Sequence, residues 1–293
     1  MNESYLIEAI SPIFSYGATQ NKPEIRPSSI RGQLHQWFRL LGGTFEQERK
    51  IFGGIKIKGS PYEDHASRLI VRISDIQGVI GNSPTLPHKT GGKAAHKACY
   101  LPGVRFKLHL MTRLGGLEKD EKHNVQRTLH TWMLLGGFGT RATRGGGSLQ
   151  AIEPHLASTP EEWDKIVQGL TQGSPVNASL LPSYYTNEMT ARKVISDTIG
   201  GQDDKRDGNN LEAIEHPLGV VTFGKEGKRK TSPLKLRVYR FAEDNYRIVA
   251  VWDKRKEVTN NQPHHLEKAI DFLNEANKTL GPELAQVSNQ LTN

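Results

Sequence analysis

RPSSIRGQLHQWFRLLGG, at residues 26–43, predicts a helix with one buried face. Pro27 suits the first turn of a helix, and the two serines after it can cap free backbone N–H groups. Apolar residues recur at helical spacing and therefore share a face: Ile30, Leu34, Trp37, Phe38 and Leu41. The glycine pair at the end of the stretch stops the helix. Arg31, His35 and Arg39 are spaced four apart, so they lie together on another face.

Strands and a second long helix surround this helix within residues 1–153. Apolar residues at helical spacing from Val125 to Gly136 predict the second helix, and a short helix runs from Phe45 to Phe52. Alternating apolar residues predict the strands Ser4–Ile10, Ser67–Asp75, Val104–Met111 and Ser148–Ile152. With the short helix as an addition, the order is strand, helix, strand, strand, helix, strand. This is the order of a ferredoxin-like domain.

The second half of the chain, residues 154–293, has weaker signals around a polar break at 200–210. The predicted elements are helices at Pro160–Leu170, Asn187–Ile199 and His264–Leu280, and strands at Leu234–Phe241 and Tyr246–Trp252. No internal repeat is strong enough to prove a duplication, but a second, degenerate domain fits the pattern. We therefore predict an α+β protein of tandem ferredoxin-like (βαββαβ, RRM-like) domains, divided after residue 153.

One segment of the first half, residues 78–99, follows neither the helical nor the strand period. It carries Lys89, Lys93 and Lys97 and no acidic residue. A basic, glycine-rich segment without periodicity is typical of a mobile excursion between strands, and we predict one here.

Charge and composition favour a polyanionic partner. Lys and Arg number 39 and Asp and Glu 31, which gives a net charge of +8 over 293 residues. An excess of this size favours nucleic acid or an acidic membrane face. No apolar run approaches the roughly 18 residues of a membrane span, which excludes a membrane-spanning protein. One cysteine, Cys99, and an amino-terminal sequence without a secretory signal predict a cytoplasmic location.

The strongest functional motif is GGFGTRATRGGGSL, residues 136–149. It holds six glycines, Arg141, Arg144 and no acidic residue. Backbone amides free of side chains suit a phosphodiester backbone, and so do arginines. A Walker loop is excluded because no Gly-Lys-Ser/Thr follows, and a dinucleotide-binding fingerprint because the motif leads from a helix to a strand. The alternative interpretation is a plain flexible turn.

Two other basic segments are candidates for the same ligand. Arg26 and Arg31 flank the predicted helix start, and helix N-termini bind phosphate readily, although an ordinary solvated basic face explains the pattern equally well. Residues 225–240 carry seven basic residues against one acidic residue. Within them, Lys235 and Arg237 alternate with apolar residues on a predicted strand, so one face of that strand is expected to be basic. The alternative is a charged strand edge that discourages aggregation.

Several segments together resemble a known family: SPIFSYG (11–17), EIRPSSIRGQLHQWFRLLGG (24–43), EQERKIFGG (46–54) and the glycine-rich motif. In this combination the chain is similar to the RAMP superfamily of CRISPR RNA-binding proteins. Within it, the chain resembles the first subunits (subunit one) of type III-B Cmr effector complexes. The resemblance covers residues 5–149, and PLGVVTF (217–223) and KRKTSPLKLRV (228–238) extend it. The glycine-rich motif alone is weakly specific, whereas IRPSSIRG followed by IFGG separates this subunit from its relatives.

The resemblance implies two ferredoxin-like domains, no metal-dependent chemistry and a place in an antiviral ribonucleoprotein. The implied partners are guide RNA, target RNA and other Cmr-type effector subunits, with the chain at the 3′ end of the guide. We expect a non-catalytic, RNA-binding subunit without a cofactor. The residues that we assign to RNA binding are Arg26, Arg31, Arg39, Gly137, Gly139, Arg141, Arg144, Gly145, Lys228, Arg229 and Lys230.

Catalysis is the alternative, since some members of that superfamily cleave RNA with a histidine. His35 and His130 are the candidates, but neither has an acid or tyrosine at helical spacing to orient it, and His130 is expected to be structural. A metal-independent endoribonuclease that processes precursor guide RNA with His35 is therefore the less favoured function. His88, His96 and Cys99 would supply only three zinc ligands at irregular spacing, so no metal site is predicted.

Overall fold

A computed structural model of the protein describes residues 1–19, 21–56, 58–59, 61–89, 95–113, 115–200, 232–257, 264 and 266–275. In chain order its elements are β1 (Asn2–Ala9), α1 (Pro27–Leu40), α2 (Phe45–Phe52), β2 (Leu69–Gln77), β3 (Ile80–Pro84), β4 (His96–Tyr100), β5 (Arg105–Thr112), α3 (Lys119–Leu135), β6 (Leu149–Glu153), α4 (Pro160–Thr171), β7 (Val176–Tyr185), α5 (Glu188–Gly200), β8 (Leu234–Ala242) and β9 (Asn245–Asp253). A further helix, α6, covers residues 266–275. No described helix is both long and apolar enough to cross a membrane.

The first sheet has four antiparallel strands in the order β2-β5-β1-β6. β1 lies inside the sheet, with Tyr5 opposite Leu108 of β5 and Ile7 opposite Ala151 of β6. α1 follows β1, and α3 connects β5 to β6. Every strand and helix predicted for residues 1–153 is present, and the protein is a mixed α+β structure built on antiparallel sheets.

The helix α1 buries the face that its apolar spacing predicts, namely Ile30, Leu34, Trp37 and Phe38. These side chains join one hydrophobic cluster with the inward residues of β1 and β5 and with α3. Arg26 is the N-cap, because Pro27 holds the residue before it in an extended conformation. No side chain hydrogen-bonds to this cap, so the prediction that the following serines cap the helix is wrong.

The structure contradicts the prediction of an irregular excursion at residues 78–99 for residues 78–89 and 95–99, whereas residues 90–94, with Lys93, lie outside the described residues. β3 and β4 pair antiparallel in a two-stranded sheet of their own. The buried Arg192 of α5 supports this hairpin by donating hydrogen bonds to Ser83 Oγ at 3.3 Å and Pro84 O at 2.8 Å. His88, just beyond β3, contacts Ser196 of the same helix. A distant helix thus stabilises two strands whose own sequence lacks alternation.

The second half contains a three-stranded antiparallel sheet in the order β7-β9-β8. The predicted helices at Pro160–Leu170 and Asn187–Ile199 and both predicted strands are found, and β7 is an element that the sequence pattern did not reveal. The predicted helix His264–Leu280 is found over residues 266–275, and residues 276–280 lie outside the described residues. Pro182 lies within β7, and proline is usually depleted from strands. Tyr239, Val249 and Val251 of this sheet belong to the same hydrophobic cluster as the first sheet. The two halves therefore pack against each other through a shared apolar core.

Candidate nucleic-acid interface

A groove separates α1 from the segment that follows α3, residues 136–147, called the glycine-rich segment below. Two adjoining cavities of about 480 Å³ and about 230 Å³ form it. Gln33 and Gly139 line both cavities and so join them. The larger cavity also reaches the chain after β1 and the hairpin of β3 and β4, and the smaller one reaches β8. Five separate parts of the sequence, drawn from both halves of the chain, contribute to this groove.

The lining of the groove is positively charged. Arg26 and Lys97 line the larger cavity, and Arg141 and Lys235 line the smaller one. Among the described residues, no Asp or Glu lines either cavity. Cations that converge on a concave surface without carboxylates produce a positive potential that attracts anions.

Arg26 places a guanidinium at the start of α1. Its Nε atom is buried and has no hydrogen-bond partner in the described part of the chain. The first turn of α1 contains no acidic residue, so the partial positive charge of this helix end is not neutralised there. The larger cavity therefore borders both a guanidinium and a helix N-terminus.

Lys235 enters the smaller cavity from β8. Its Nζ lies 5.3 Å from the centre of the Trp37 ring, which supports the ammonium by a cation–π contact. Burial lowers the pKa of Lys235, and the nearby Asp253 opposes that shift. This lysine was noted in the sequence as part of a charged cluster, but only the packing of β8 against α1 brings it to the groove.

The glycines mainly permit close packing of their segment. The amides of Gly145 and Gly147 donate to Leu236 O at 2.8 Å and Pro12 O at 2.9 Å. A Cβ on Gly147, which has φ +59°, would lie 1.8 Å from Phe138 O. Gly145 is buried, and Gly146 also donates within the segment. This corrects the expectation that successive glycine amides face a ligand.

Two arginines of the segment have different positions. Arg141 is exposed at the groove, with a φ of 67°, and its carbonyl accepts hydrogen bonds from the amides of Arg144 and Gly146. Arg144 is half-buried, and its backbone forms a parallel bridge with Leu236 of β8. Gly137 and Gly139 line the groove beside Arg141. The structure thus brings Arg26, Arg141 and these two glycines together.

β8 does not have the exposed basic face that its sequence predicts. Arg237 is 1% exposed, and its guanidinium donates hydrogen bonds to Met133 O and Leu149 O. Burial lowers its pKa to about 10. The prediction is wrong for Arg237 because this face of β8 packs against the first half of the chain, with Lys235 alone at the groove.

Residues 6–150 match the model of the RAMP superfamily. These residues form a RAMP domain. The CRISPR system Cmr subunit Cmr1-2 of Pyrococcus furiosus is 28% identical over 177 residues, which is 49% of this chain and 91% of that protein. Subunit Cmr1-1 of the same organism is 30% identical over 152 residues, 46% of this chain and 42% of that protein. The chain thus contains a RAMP domain and resembles Cmr1.

Solved structures share the fold of this chain. The crystal structure of Cmr1 from Pyrococcus furiosus in its apo form has a TM-score of 0.55 at 17% identity, and the match covers 87% of this chain and 89% of that one. A chain in the cryo-EM structure of the type III-B Cmr-beta complex bound to cognate target RNA has a TM-score of 0.56 at 11% identity, covering 92% and 99%. The likeness extends over both halves, beyond the RAMP domain itself.

Arg31, His35 and Arg39 share one side of α1, as their spacing predicts, and that side faces α2. Arg31 donates a hydrogen bond to Phe52 O, His35 Nδ1 lies 2.6 Å from Glu48 Oε1, and Arg39 Nη1 lies 3.1 Å from Glu48 Oε2. None of the three lines either cavity of the groove. The structure therefore separates Arg31 and Arg39 from Arg26 and Arg141.

Both candidate histidines have partners that helical spacing did not reveal. Glu48, on another helix, is the partner of His35. His130 Nε2 lies 3.0 Å from the hydroxyl of Tyr5 on β1, and burial lowers the pKa of His130. Neither histidine has an acid or tyrosine at helical spacing on its own helix, and the partners that the structure shows come from elements distant in sequence.

The remaining predicted residues are the basic residues 228–230 and the candidate zinc ligands. Lys228, Arg229 and Lys230 lie outside the described residues. Cys99 is buried in β4, while His96 is exposed at the other end of that strand. Within the described part of the chain, no three His, Cys, Asp or Glu side chains are grouped to hold a metal ion.

Proposed function

We propose that the protein is a non-catalytic RNA-binding subunit of a type III-B CRISPR (Cmr) ribonucleoprotein effector, acting in antiviral defence in the cytoplasm. The groove between α1 and the glycine-rich segment binds the RNA. The observation that carries this proposal is the convergence of Arg26, Lys97, Arg141 and Lys235 on a groove that, among the described residues, no Asp or Glu lines. The names of the curated relatives support the choice of complex.

The chemistry of the groove suits a ribose-phosphate chain. Arginine donates to phosphate oxygens in pairs, and lysine supplies a compact charge, so Arg26, Lys97, Arg141 and Lys235 neutralise successive phosphates. Binding of this kind tolerates any sequence and weakens with salt. It fits a subunit in which base pairing between guide and target supplies the specificity.

The family resemblance supports a position at the 3′ end of the guide RNA, where we propose that the subunit helps to hold guide and captured target. Its partners in this role are the other Cmr-type subunits and both RNAs. Of the residues assigned from the sequence, Arg26, Gly137, Gly139 and Arg141 line the groove, and Arg144 lies beside it. Arg31 and Arg39 face α2 instead.

The same proposal includes the domain organisation. The second half has the order β7, α5, β8, β9, α6, and its sheet order β7-β9-β8 is that of the first three strands of a ferredoxin-like sheet. We take residues 1–153 and 154–293 as tandem ferredoxin-like domains, with the second degenerate.

RNA binding measured by fluorescence anisotropy tests the proposed function. We expect the paired change Arg141→Ala and Lys97→Ala to weaken the binding of a labelled single-stranded RNA about thirtyfold at physiological salt, because two phosphate contacts are lost. Arg72→Ala, on the exposed side of β2 and away from the groove, serves as the matched control. Equal affinities of the two variants would refute the assignment of the groove.

The endoribonuclease alternative has one observation in its favour, the oriented pair of His35 and Glu48. Labelled precursor RNA is incubated with the protein in the presence of a chelator. We expect the RNA to stay intact, since neither histidine candidate lines the groove. Site-specific cuts that disappear in His35→Ala would favour the enzyme.

A further inference from the structure

Arg237 is a buried cation whose position is not explained by any acidic partner. It is 1% exposed, and no described carboxylate lies within ion-pair distance of it. A buried charge is unfavourable unless hydrogen bonds and dipoles compensate for it. Two carbonyl oxygens do so here, Met133 O at 3.1 Å from Nη1 and Leu149 O near Nη2. Met133 lies in the last turn of α3, where free carbonyls and the helix dipole favour a cation.

These two carbonyls belong to the two ends of the glycine-rich segment. Met133 precedes the segment by three residues, and Leu149 follows it by two. One guanidinium therefore links the end of α3 to the start of β6. The residues on either side of the segment are thus linked by Arg237, which comes from the other half of the chain.

The neighbours of Arg237 on β8 hold the middle of the segment. Leu236 accepts a hydrogen bond from Gly145 N at 2.8 Å and donates one to Thr143 O at 3.0 Å. Val238 N donates to Ser148 Oγ at 3.0 Å. β8 thus acts as a template against which residues 143–148 are laid, and Arg141 sits on the turn that this template supports.

We propose that Arg237 is a positioning residue for RNA binding, which fixes both ends of the glycine-rich segment and so holds Arg141 at the groove. This inference rests on the proposed function. Arg237 then acts on the RNA site without touching RNA. The second half of the chain is therefore necessary for the geometry of the groove in the first half. Arg26 is positioned by α1 instead, so its contribution is independent of Arg237.

A double-mutant cycle tests the coupling. Arg141→Ala is measured in the parent protein and in Arg237→Gln, by anisotropy with single-stranded RNA. We expect Arg141→Ala to weaken binding about tenfold in the parent and less than about twofold in Arg237→Gln, because the side chain is already displaced there. Arg26→Ala is the control, and its effect is expected to be the same in both backgrounds.

The RNA affinity of each variant is measured well below its own melting temperature, so that loss of folding does not contribute to the measured affinity. If Arg237→Gln does not fold, Arg237→Lys replaces it, since lysine keeps the buried charge but cannot donate to Met133 O and Leu149 O as the two-pronged guanidinium does. We expect the effect of Arg141→Ala in the Arg237→Lys background to lie between its effects in the parent and in Arg237→Gln. An undiminished effect of Arg141→Ala in the Arg237→Gln background, or in the Arg237→Lys background that replaces it, overturns the positioning role and leaves the RNA groove standing. No effect of Arg141 or Arg26 in the parent overturns the proposed function itself.

Discussion

The two polar sides of α1 both carry arginine, but they use it differently. On the side that faces α2, Arg31 binds a backbone carbonyl, and Arg39 pairs with Glu48. On the side that faces the glycine-rich segment, Arg26 borders a groove whose lining lacks carboxylates among the described residues. Similar residues on one helix thus stabilise the fold on one side and leave positive charge exposed to a ligand on the other.

This difference shows why net charge is a poor measure of a binding surface. The chain has 39 basic residues, yet many of those described already have a carbonyl or carboxylate partner. Arg105 and Arg240, for example, both pair with the buried Glu8. A polyanion encounters only the smaller set of cations that the fold brings together away from carboxylates.

Charge reversal on the groove side is expected to give the largest effect. We expect Arg26→Glu with Arg141→Glu to weaken RNA binding about a thousandfold, because two attractive contacts become repulsive. Arg39→Glu, a single reversal on the side that faces α2, is expected to change affinity less than about threefold. Anisotropy titrations at one salt concentration measure both. Comparable losses in the two variants would mean that the sides do not differ in function.

Glu188 offers a second contrast with the side of α1 that faces α2. Glu48 lies between His35 and Arg39, whereas Glu188 is largely buried, with its Oε2 atom 3.9 Å from Nη1 of Arg192. Burial raises the pKa of Glu188 to about 7. The folded state therefore binds a proton that the unfolded state releases between about pH 4.5 and pH 7.

The free energy of unfolding is expected to fall across that pH range. The loss attributable to Glu188 is about 3 kcal/mol between pH 4.5 and pH 7, since each unit of pKa shift corresponds to about 1.4 kcal/mol. Urea denaturation of the parent and of Glu188→Gln at several pH values isolates the contribution of Glu188 to the pH dependence of the unfolding free energy. The variant should lose this part of the pH dependence, and identical pH profiles would contradict the assignment.

Arg31 should matter for stability and not for RNA. We expect Arg31→Gln to lower the free energy of unfolding by about 1–2 kcal/mol, because its hydrogen bond to Phe52 O is lost. RNA affinity is expected to stay within about twofold of the parent. Denaturation and anisotropy on the same sample separate the two effects. Lys50→Gln, an exposed change on α2, is the control, with a change in unfolding free energy under about 0.5 kcal/mol.

Local patterns in the sequence predicted most helices and strands, while contacts between distant elements determined the rest. The apolar spacing of α1 was sufficient because that helix buries a single face. The hairpin of β3 and β4 was not recognised because Arg192 of α5 stabilises it from more than a hundred residues away. Lys235 and Arg237 have the same local pattern, yet packing places one at the groove and the other in the core.

The same limit applies to the candidate site. The glycine-rich motif and Arg26 were recognised as separate signals, and both line the groove. Arg31 and Arg39 carry an equally strong signal, but in the structure they donate to Phe52 O and to the Glu48 carboxylate of α2. Spacing along one helix predicts the direction of a side chain but not the residues of other elements that it contacts.

The smallest expected effect is also the most specific for phosphate contacts. The slope of log affinity against log salt counts the phosphates that a protein neutralises, at about 0.7 per contact for single strands. We therefore expect Arg141→Ala to reduce that slope by about 0.7, and Arg39→Gln to leave it unchanged even if its affinity changes slightly. The two slopes come from titrations between low and physiological salt. A reduced slope in Arg39→Gln would show that the side of α1 facing α2 exchanges its contact with Glu48 for RNA, and the two sides would then act as one surface.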